Sequence, residues 1–238
     1  MRTTAPDDPT VTRLVEQQIA SWELTRDRRD DVDPEKRSVV EDFVCISRDV
    51  GAGATRIGAK LAERLEWPVF DKEFLHAMAG DDKIREQIYA SMDERDLAWH
   101  EEAVRSLMRP ELVTNDDLRH SGKMVLALAR QGSAIFIGRG ADLILPRDVG
   151  LRVRIVAPLE ARIKRIAERQ ELSDEEARKK IQSLQNERAR YIRQHFQVDI
   201  HDPERYDLVI KLQRISSIQA VDLIESARDI LAMDQFAP

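Results

Sequence analysis

The feature that most constrains this chain is a continuous unit near residue 45. The apolar run Phe43-Val44-Cys45-Ile46 leads into Arg48-Asp49-Val50-Gly51-Ala52-Gly53-Ala54-Thr55, and then into a stretch where Ile57, Leu61 and Leu65 recur every four residues. A short apolar run flanked by charge suits a strand buried on both faces, and four-residue recurrence gives one apolar helical face. The unit therefore reads as strand, glycine-rich turn, helix. In that context glycines let consecutive amides face an anion, and the helix N-terminus adds partial positive charge.

Further strands are predicted at Pro68-Val69-Phe70-Asp71, Ala134-Ile135-Phe136-Ile137, Leu151 to Val156 and Leu208-Val209-Ile210, with helical patterns between them. Pro158 opens a helix with the stripe Leu159, Ile163 and Ile166. Ser173 to Glu176 is a capping-box pattern for a long helix toward His195. Ser216 with Gln219 is placed to cap the last helix, which carries Val221, Ile224 and Leu231. Strands alternating with helices predict a parallel sheet covered on both faces, with ligands at the carboxyl ends of the strands. That edge carries Arg48 to Arg56, Asp71 to Lys72 and Arg139 to Asp142.

The spelling of the loop is weaker than its placement. Against G-x-x-x-x-G-K-[ST], Arg48 stands at the first glycine and Ala54 at the lysine, while Thr55 keeps the hydroxyl position that meets Mg²⁺. On the loop alone, a phosphate cradle and a ligand-free turn fit equally well.

Several segments in order resemble the cytidylate-kinase-like branch of the P-loop nucleoside monophosphate kinases, from about Val44 to Leu231. They are Ile46-Ser47-Arg48 with Gly51-Ala52-Gly53, Ile57-Gly58 with Leu61 to Leu65, Phe70-Asp71-Lys72-Glu73, Ile137-Gly138-Arg139-Gly140-Ala141, Arg188 to Ile192, Asp202-Pro203, and Tyr206 to Ile210. The resemblance implies a three-layer α/β/α P-loop NTPase fold around a five-stranded parallel sheet. A helical acceptor-binding insertion would occupy about 81–130 and a lid about 158–195 of a domain spanning 41–235, preceded at 1–40 by a helix and a charged linker. It implies phosphoryl transfer from ATP, with Mg²⁺, to a nucleoside monophosphate, typically CMP or dCMP. Arg48, Gly51, Ala52, Gly53, Ala54, Thr55 and Arg56 would line the donor site, with Thr55 toward the metal. Ordinary cytidylate kinases carry the loop lysine, whereas this branch often lacks it; Arg56 is the expected substitute. Gly140 stands where ordinary cytidylate kinases place an aspartate after the arginine, so their contact to cytosine or ribose does not carry over.

Phosphoryl transfer needs positioning and charge neutralisation, which makes arginines the informative residues. Ala177, Ile181, Leu184, Arg188 and Tyr191 share one helical face, so Arg188 is expected to point inward, where a phosphate or a structural carboxylate would pair with it. Arg139 follows the third strand at the ligand edge. Arg56, Arg139 and Arg188 are the expected catalytic cations, and Asp71, Arg139 and Arg188 the expected acceptor contacts; helix capping explains Asp71 equally well. Arg162, Arg165 and Arg169 read first as a solvated helix face, with a lid role for one or two as the sharper alternative. Asp142 carries little weight as a metal ligand, and the irregular cluster His195, Asp199, His201, Asp202 reads as a plain loop. Trp22, Trp67 and Trp99 read as packing anchors, and Asp93 and Glu94 as solvated charges.

The net charge of −6 argues against duplex nucleic acid as a partner. No apolar run approaches the roughly 20 residues needed to cross a bilayer, and the polar start Met1 to Thr10 lacks a secretory pattern. With a single cysteine, Cys45, these features predict a cytoplasmic protein. Two other functions share the sequence: a nucleotide sensor without turnover, and a kinase acting on a different small molecule.

Overall fold

The computed structural model describes residues 40–71, 75 and 116–234. Five strands form one parallel sheet in the order β2-β3-β1-β4-β5: β1 Phe43–Arg48, β2 Val69–Phe70, β3 Ala134–Ile137, β4 Leu151–Val156 and β5 Leu208–Lys211. All five predicted strands are present, and the parallel, helix-covered sheet expected from their alternation is the one observed.

The side chains of β1 alternate between two cores. Phe43 and Cys45 join Ala134, Phe136 and Phe70 beneath helix α2, Asp116–Gln131; Val44 and Ile46 join Ile135, Ile137, Val153 and Ile155 beneath α1, Ala54–Leu65, and α6, Ser217–Asp234. Covering both faces explains why Phe43 to Ile46 of β1 are apolar in succession rather than alternating with polar residues. From Met124 to Ala129 every α2 residue is fully buried. This end of the stretch assigned by sequence to the insertion is thus part of the sheet's own covering layer. Residues 81–115 lie outside the described residues, as do the N-terminal segment 1–39 and with it Trp22; Asp93, Glu94 and Trp99 fall in the same undescribed stretch.

Two further helices, α4 Leu159–Gln170 and α5 Asp174–Phe196, make a hairpin with a small core of its own: Ile163, Ala167, Ala177 and Ile181, closed by Val50 from the glycine loop. Ser173 starts α5 through a reciprocal capping box with Glu176, and Ser216 exchanges the equivalent bonds with Gln219 ahead of α6. Both caps agree with the sequence reading. Among the described residues, no helix is long and apolar enough to span a membrane.

Cys45 is fully buried, and burial, aided by the nearby Asp142 charge, pushes its thiol well above the ordinary range. A thiolate is the reactive species. Alkylation by iodoacetamide at pH 8 is therefore expected to be negligible in the native protein and complete after denaturation, as followed by intact mass. Rapid labelling of the native protein would contradict this placement.

Candidate active site

The glycine loop closes as a tight turn between β1 and α1. Ala52 N–H donates to Asp49 O at 3.2 Å, and Gly51 and Gly53 take φ of 79° and 96°, values that favour glycine. Gly53 is the N-cap of α1 but offers no side-chain cap. The first-turn amides of α1 thus have no capping side chain, which is the local requirement for receiving an anion.

The cations sort onto two sides of this loop. On one side a cavity of about 390 Å³ opens at the ends of β1 and β3 and beneath α5, lined by Arg48, Arg139, Arg188 and Arg190 together with Glu187 and Tyr191. Arg48, expected at the donor loop, turns its side chain to this cavity. Its guanidinium lies so close over Gly138 that a Cβ there would sit 1.8 Å from Nη1. Arg188 faces inward as its helical phase predicts, with a long 3.5 Å bond to Arg48 O. Arg190 is exposed and reaches the cavity rim.

Arg139 is held in an unusual backbone. Gly138, Arg139 and Gly140 have φ of 80°, 58° and 71°, so an arginine occupies the middle of a left-handed run. Such a residue costs on the order of 1 kcal/mol and persists only where its surroundings impose it. Its guanidinium lies 5.8 Å from the centre of the Tyr191 ring, and its Nε is buried with no hydrogen-bond partner among the described residues. A buried, unsatisfied cationic donor beside a cavity is chemically suited to an anion. His195 stacks edge-on against the same tyrosine at 4.6 Å, and burial pushes its imidazole below the ordinary value, favouring the neutral form.

On the other side, the α4–α5 hairpin grips the loop. Arg162 donates to Ala157 O at 3.0 Å and Val50 O at 3.3 Å, and Arg165 donates to Gly51 O. Gln185 of α5 accepts from Val50 N–H at 2.9 Å. Two of the three arginines read first as a solvated face therefore contact the loop, because Val50 anchors α4 directly above it; Arg169 is exposed as expected. Thr55 and Arg56 are both exposed at the start of α1, and the Arg56 side chain makes no hydrogen bond to the described residues.

Below the loop lies a buried polar layer that the sequence reading missed. Arg154 donates to Ser47 Oγ at 3.0 Å and to Asp49 Oδ1 at 2.8 Å, with His201 Nδ1 at 3.2 Å. Tyr206 donates to Ile200 O at 3.0 Å, its hydroxyl lies 3.1 Å from Ser47 Oγ, and burial raises its pKa. Asp142 pairs with Arg205, both buried, so its carboxylate is committed to that arginine rather than to a metal. Arg152 is satisfied by the carbonyls of Asp142, Leu145, Pro146 and Val149. The signal was present in β4 as Leu-Arg-Val-Arg-Ile-Val: strict alternation inside a central strand puts both arginines on one buried face.

Asp71 follows β2 directly, and its carbonyl accepts from Leu75 N–H at 2.9 Å; it is not among the described residues lining the cavity. Trp67 packs on the second core with Arg228 over its ring. No group of three or more His, Cys, Asp or Glu among the described residues is arranged to hold a metal ion.

Comparison with known proteins agrees with this geometry. The profile of the cytidylate kinase-like family matches residues 43–214. The chain is 27% identical over 191 residues to a cytidylate kinase of Pyrococcus horikoshii, covering 79% of this chain and 88% of that one. It is 30% identical over 182 residues to a cytidylate kinase of Ignicoccus hospitalis, covering 76% and 96% respectively. The crystal structure of an uncharacterized protein from Eubacterium ventriosum shares the fold, with a TM-score of 0.65 at 21% identity over 80% of this chain and 99% of the other.

Proposed function

The chain belongs to the cytidylate kinase-like family, and on that premise we propose that it transfers a phosphoryl group from ATP to a nucleoside monophosphate, with CMP or dCMP as the first candidates. The observation carrying this reading is the unsatisfied Arg139 Nε beside a cavity that Arg48 and Arg188 also line, one loop away from the uncapped start of α1. The terminal phosphoryl of ATP, held over Gly51 to Arg56, would pass to an acceptor phosphate oxygen in the cavity. The products are ADP and a nucleoside diphosphate.

The protein's contribution is positional and electrostatic. Arg139 and Arg188 hold the acceptor phosphate and stabilise charge on the transferring group, with Arg48 beside them. Arg56 is a further cation on the donor side, and Thr55 offers its hydroxyl to magnesium carried by the nucleotide. Asp71 is assigned to the acceptor sugar. Base recognition has to differ from that of ordinary cytidylate kinases, because Phe196 closes the space at Gly140: a Cβ there would meet its ring at 2.6 Å.

A second reading, a nucleotide-binding protein without turnover, is favoured by Ala54 in place of the lysine. ADP formation measured with ATP, Mg²⁺ and each nucleoside monophosphate, alongside nucleotide titration, separates the two. CMP- or dCMP-dependent ADP release is expected. Tight ATP binding with no acceptor-dependent release would overturn the kinase reading, and dependence on a non-nucleotide acceptor would keep the fold chemistry but change the substrate.

A further inference from the structure

Asp49 poses an electrostatic problem. It opens the loop proposed to receive a polyphosphate, and an uncompensated carboxylate beside a polyanion weakens binding by like-charge repulsion. Its backbone and its side chain are all engaged. Asp49 N–H donates to Ile155 O at 3.0 Å, its carbonyl accepts from Ala52 N–H at 3.2 Å across the turn, and its Oδ1 accepts from Arg154 at 2.8 Å.

The sheet register explains how a β4 residue reaches the loop. Arg154 stands opposite Ser47 of β1, and a strand returns to the same face every second residue, so Asp49 is the next side chain beside it. One guanidinium serves both: Nη1 donates to Ser47 Oγ at 3.0 Å and Nη2 to Asp49 Oδ1. Nη2 also donates at 3.2 Å to His201 Nδ1, which accepts because a guanidinium has only donors. The side chains of Arg154 and Asp49 are 4% and 14% exposed, so solvent screens the pair little.

We infer that Arg154 is a positioning residue for the nucleotide loop: it neutralises Asp49 and holds the carboxylate against the sheet, so that the loop presents amides rather than an acid to the phosphates. The same side chain reaches the acceptor side. Ser47 lines the cavity with Arg139 and Arg188, and its Oγ lies 3.1 Å from the Tyr206 hydroxyl, which donates to Ile200 O. Arg154 thus fixes the start of the glycine loop relative to the wall of that cavity.

Removal of the guanidinium leaves Asp49 charged, with Gln185 Nε2 at a long 3.5 Å as its remaining side-chain donor. Removal of the charge as well takes the repulsion away. The two substitutions together are therefore expected to bind polyphosphate better than the arginine substitution alone, an outcome that a pair serving only the fold would not give.

That ATP is the ligand rests on the kinase reading, but the test needs no turnover. The full chain and its variants are titrated calorimetrically with Mg–ATP, thermal midpoints are recorded, and deuterium uptake at residues 49–53 is followed in the unliganded protein. Arg154→Met is expected to weaken Mg–ATP binding by about 10- to 100-fold and to raise uptake at Val50 and Ala52. Arg154→Lys should regain part of both. Asp49→Asn should lose less than Arg154→Met, because its amide oxygen still accepts from the guanidinium. Adding Asp49→Asn to Arg154→Met should strengthen Mg–ATP binding by about threefold or more over Arg154→Met alone. Arg64→Met, which breaks an exposed pair with Asp222 and Glu225 on the far end of α1, should keep wild-type affinity. If Arg154→Met does not fold, Arg154→Gln with and without Asp49→Asn takes its place. Wild-type affinity in the Arg154 variant, or no gain on adding Asp49→Asn, would overturn the inference. If the wild type binds no Mg–ATP, the donor reading fails and deuterium uptake decides whether Arg154 sets the loop: unchanged uptake overturns it. Absent acceptor-dependent turnover, with the affinities as expected, would overturn the kinase reading alone.

Discussion

Arg139→Gly is expected to abolish most phosphoryl transfer while leaving the fold as stable as before or slightly more so. The two effects have separate origins at one residue. The backbone at Arg139 has φ 58°, between two glycines that are also left-handed, and glycine adopts that conformation without the steric cost borne by arginine. Relief of about 1 kcal/mol is therefore expected in thermal or urea unfolding. The guanidinium, by contrast, carries a buried Nε with no partner among the described residues and stacks near Tyr191 at the cavity. Removing a pre-organised donor aimed at developing charge typically costs about 10²- to 10³-fold in turnover.

With the acceptor that proves active, kcat/KM should fall by about that factor in Arg139→Gly, and Arg139→Lys should recover only part because an ammonium lacks the planar fork. The combination of lost turnover and retained stability is diagnostic, since a merely structural arginine would lose both or neither. Unchanged kcat/KM in Arg139→Gly would remove Arg139 from the acceptor site.

The largest stability effect is expected at the Asp142–Arg205 pair. Both side chains are nearly inaccessible, and they join α3, Ala141–Ile144, to the short 3-10 turn Pro203–Arg205 ahead of β5. Truncating one partner leaves the other charge buried without compensation, a penalty of about 3–5 kcal/mol. In a domain of this size, each kcal/mol moves the thermal midpoint by roughly 2–4 °C. Arg205→Met should therefore lower the midpoint by roughly 6–20 °C, and Asp142→Leu by a similar amount.

The double variant is the informative one. Replacing both groups by apolar side chains of similar volume removes the unpaired charge, so Arg205→Met with Asp142→Leu should recover much of the loss. Strict additivity of the two single effects would mean that the pair is not energetically coupled. Arg205 also donates to Asp199 O at 2.9 Å, so the recovery is expected to be incomplete.

Much of this architecture was legible because its causes are local. Apolar runs such as Ala134 to Ile137 can only be strands buried on both faces, and Ser173 with Glu176 or Ser216 with Gln219 announce helix starts within four residues. The inward phase of Arg188 followed from the three- and four-residue spacing of Ala177, Ile181 and Leu184. Arg162 and Arg165 were not legible in the same way. Their helix is amphipathic by its own pattern, and nothing in that pattern reveals that its polar edge overhangs a loop more than 110 residues earlier. Arg152 and Arg154 were a different omission: their alternation within a central strand was visible and required burial, but the partners that make burial tolerable were not.

The sequence by itself determined the order of strands and helices, the glycine turn at 51 and 53, and the absence of a lysine at 54, because each depends on neighbours a few residues apart. Only the tertiary structure decided where the arginines lie. It turned Arg48 away from the glycine loop to the cavity, tied Arg154 to Asp49, and set Arg165 of the α4–α5 hairpin across that loop. Charge placement is a long-range property: a guanidinium reaches several ångströms in any direction, and which oxygen it finds depends on the packing of Val50, Ile163 and their neighbours, distant in sequence and adjacent only in the fold.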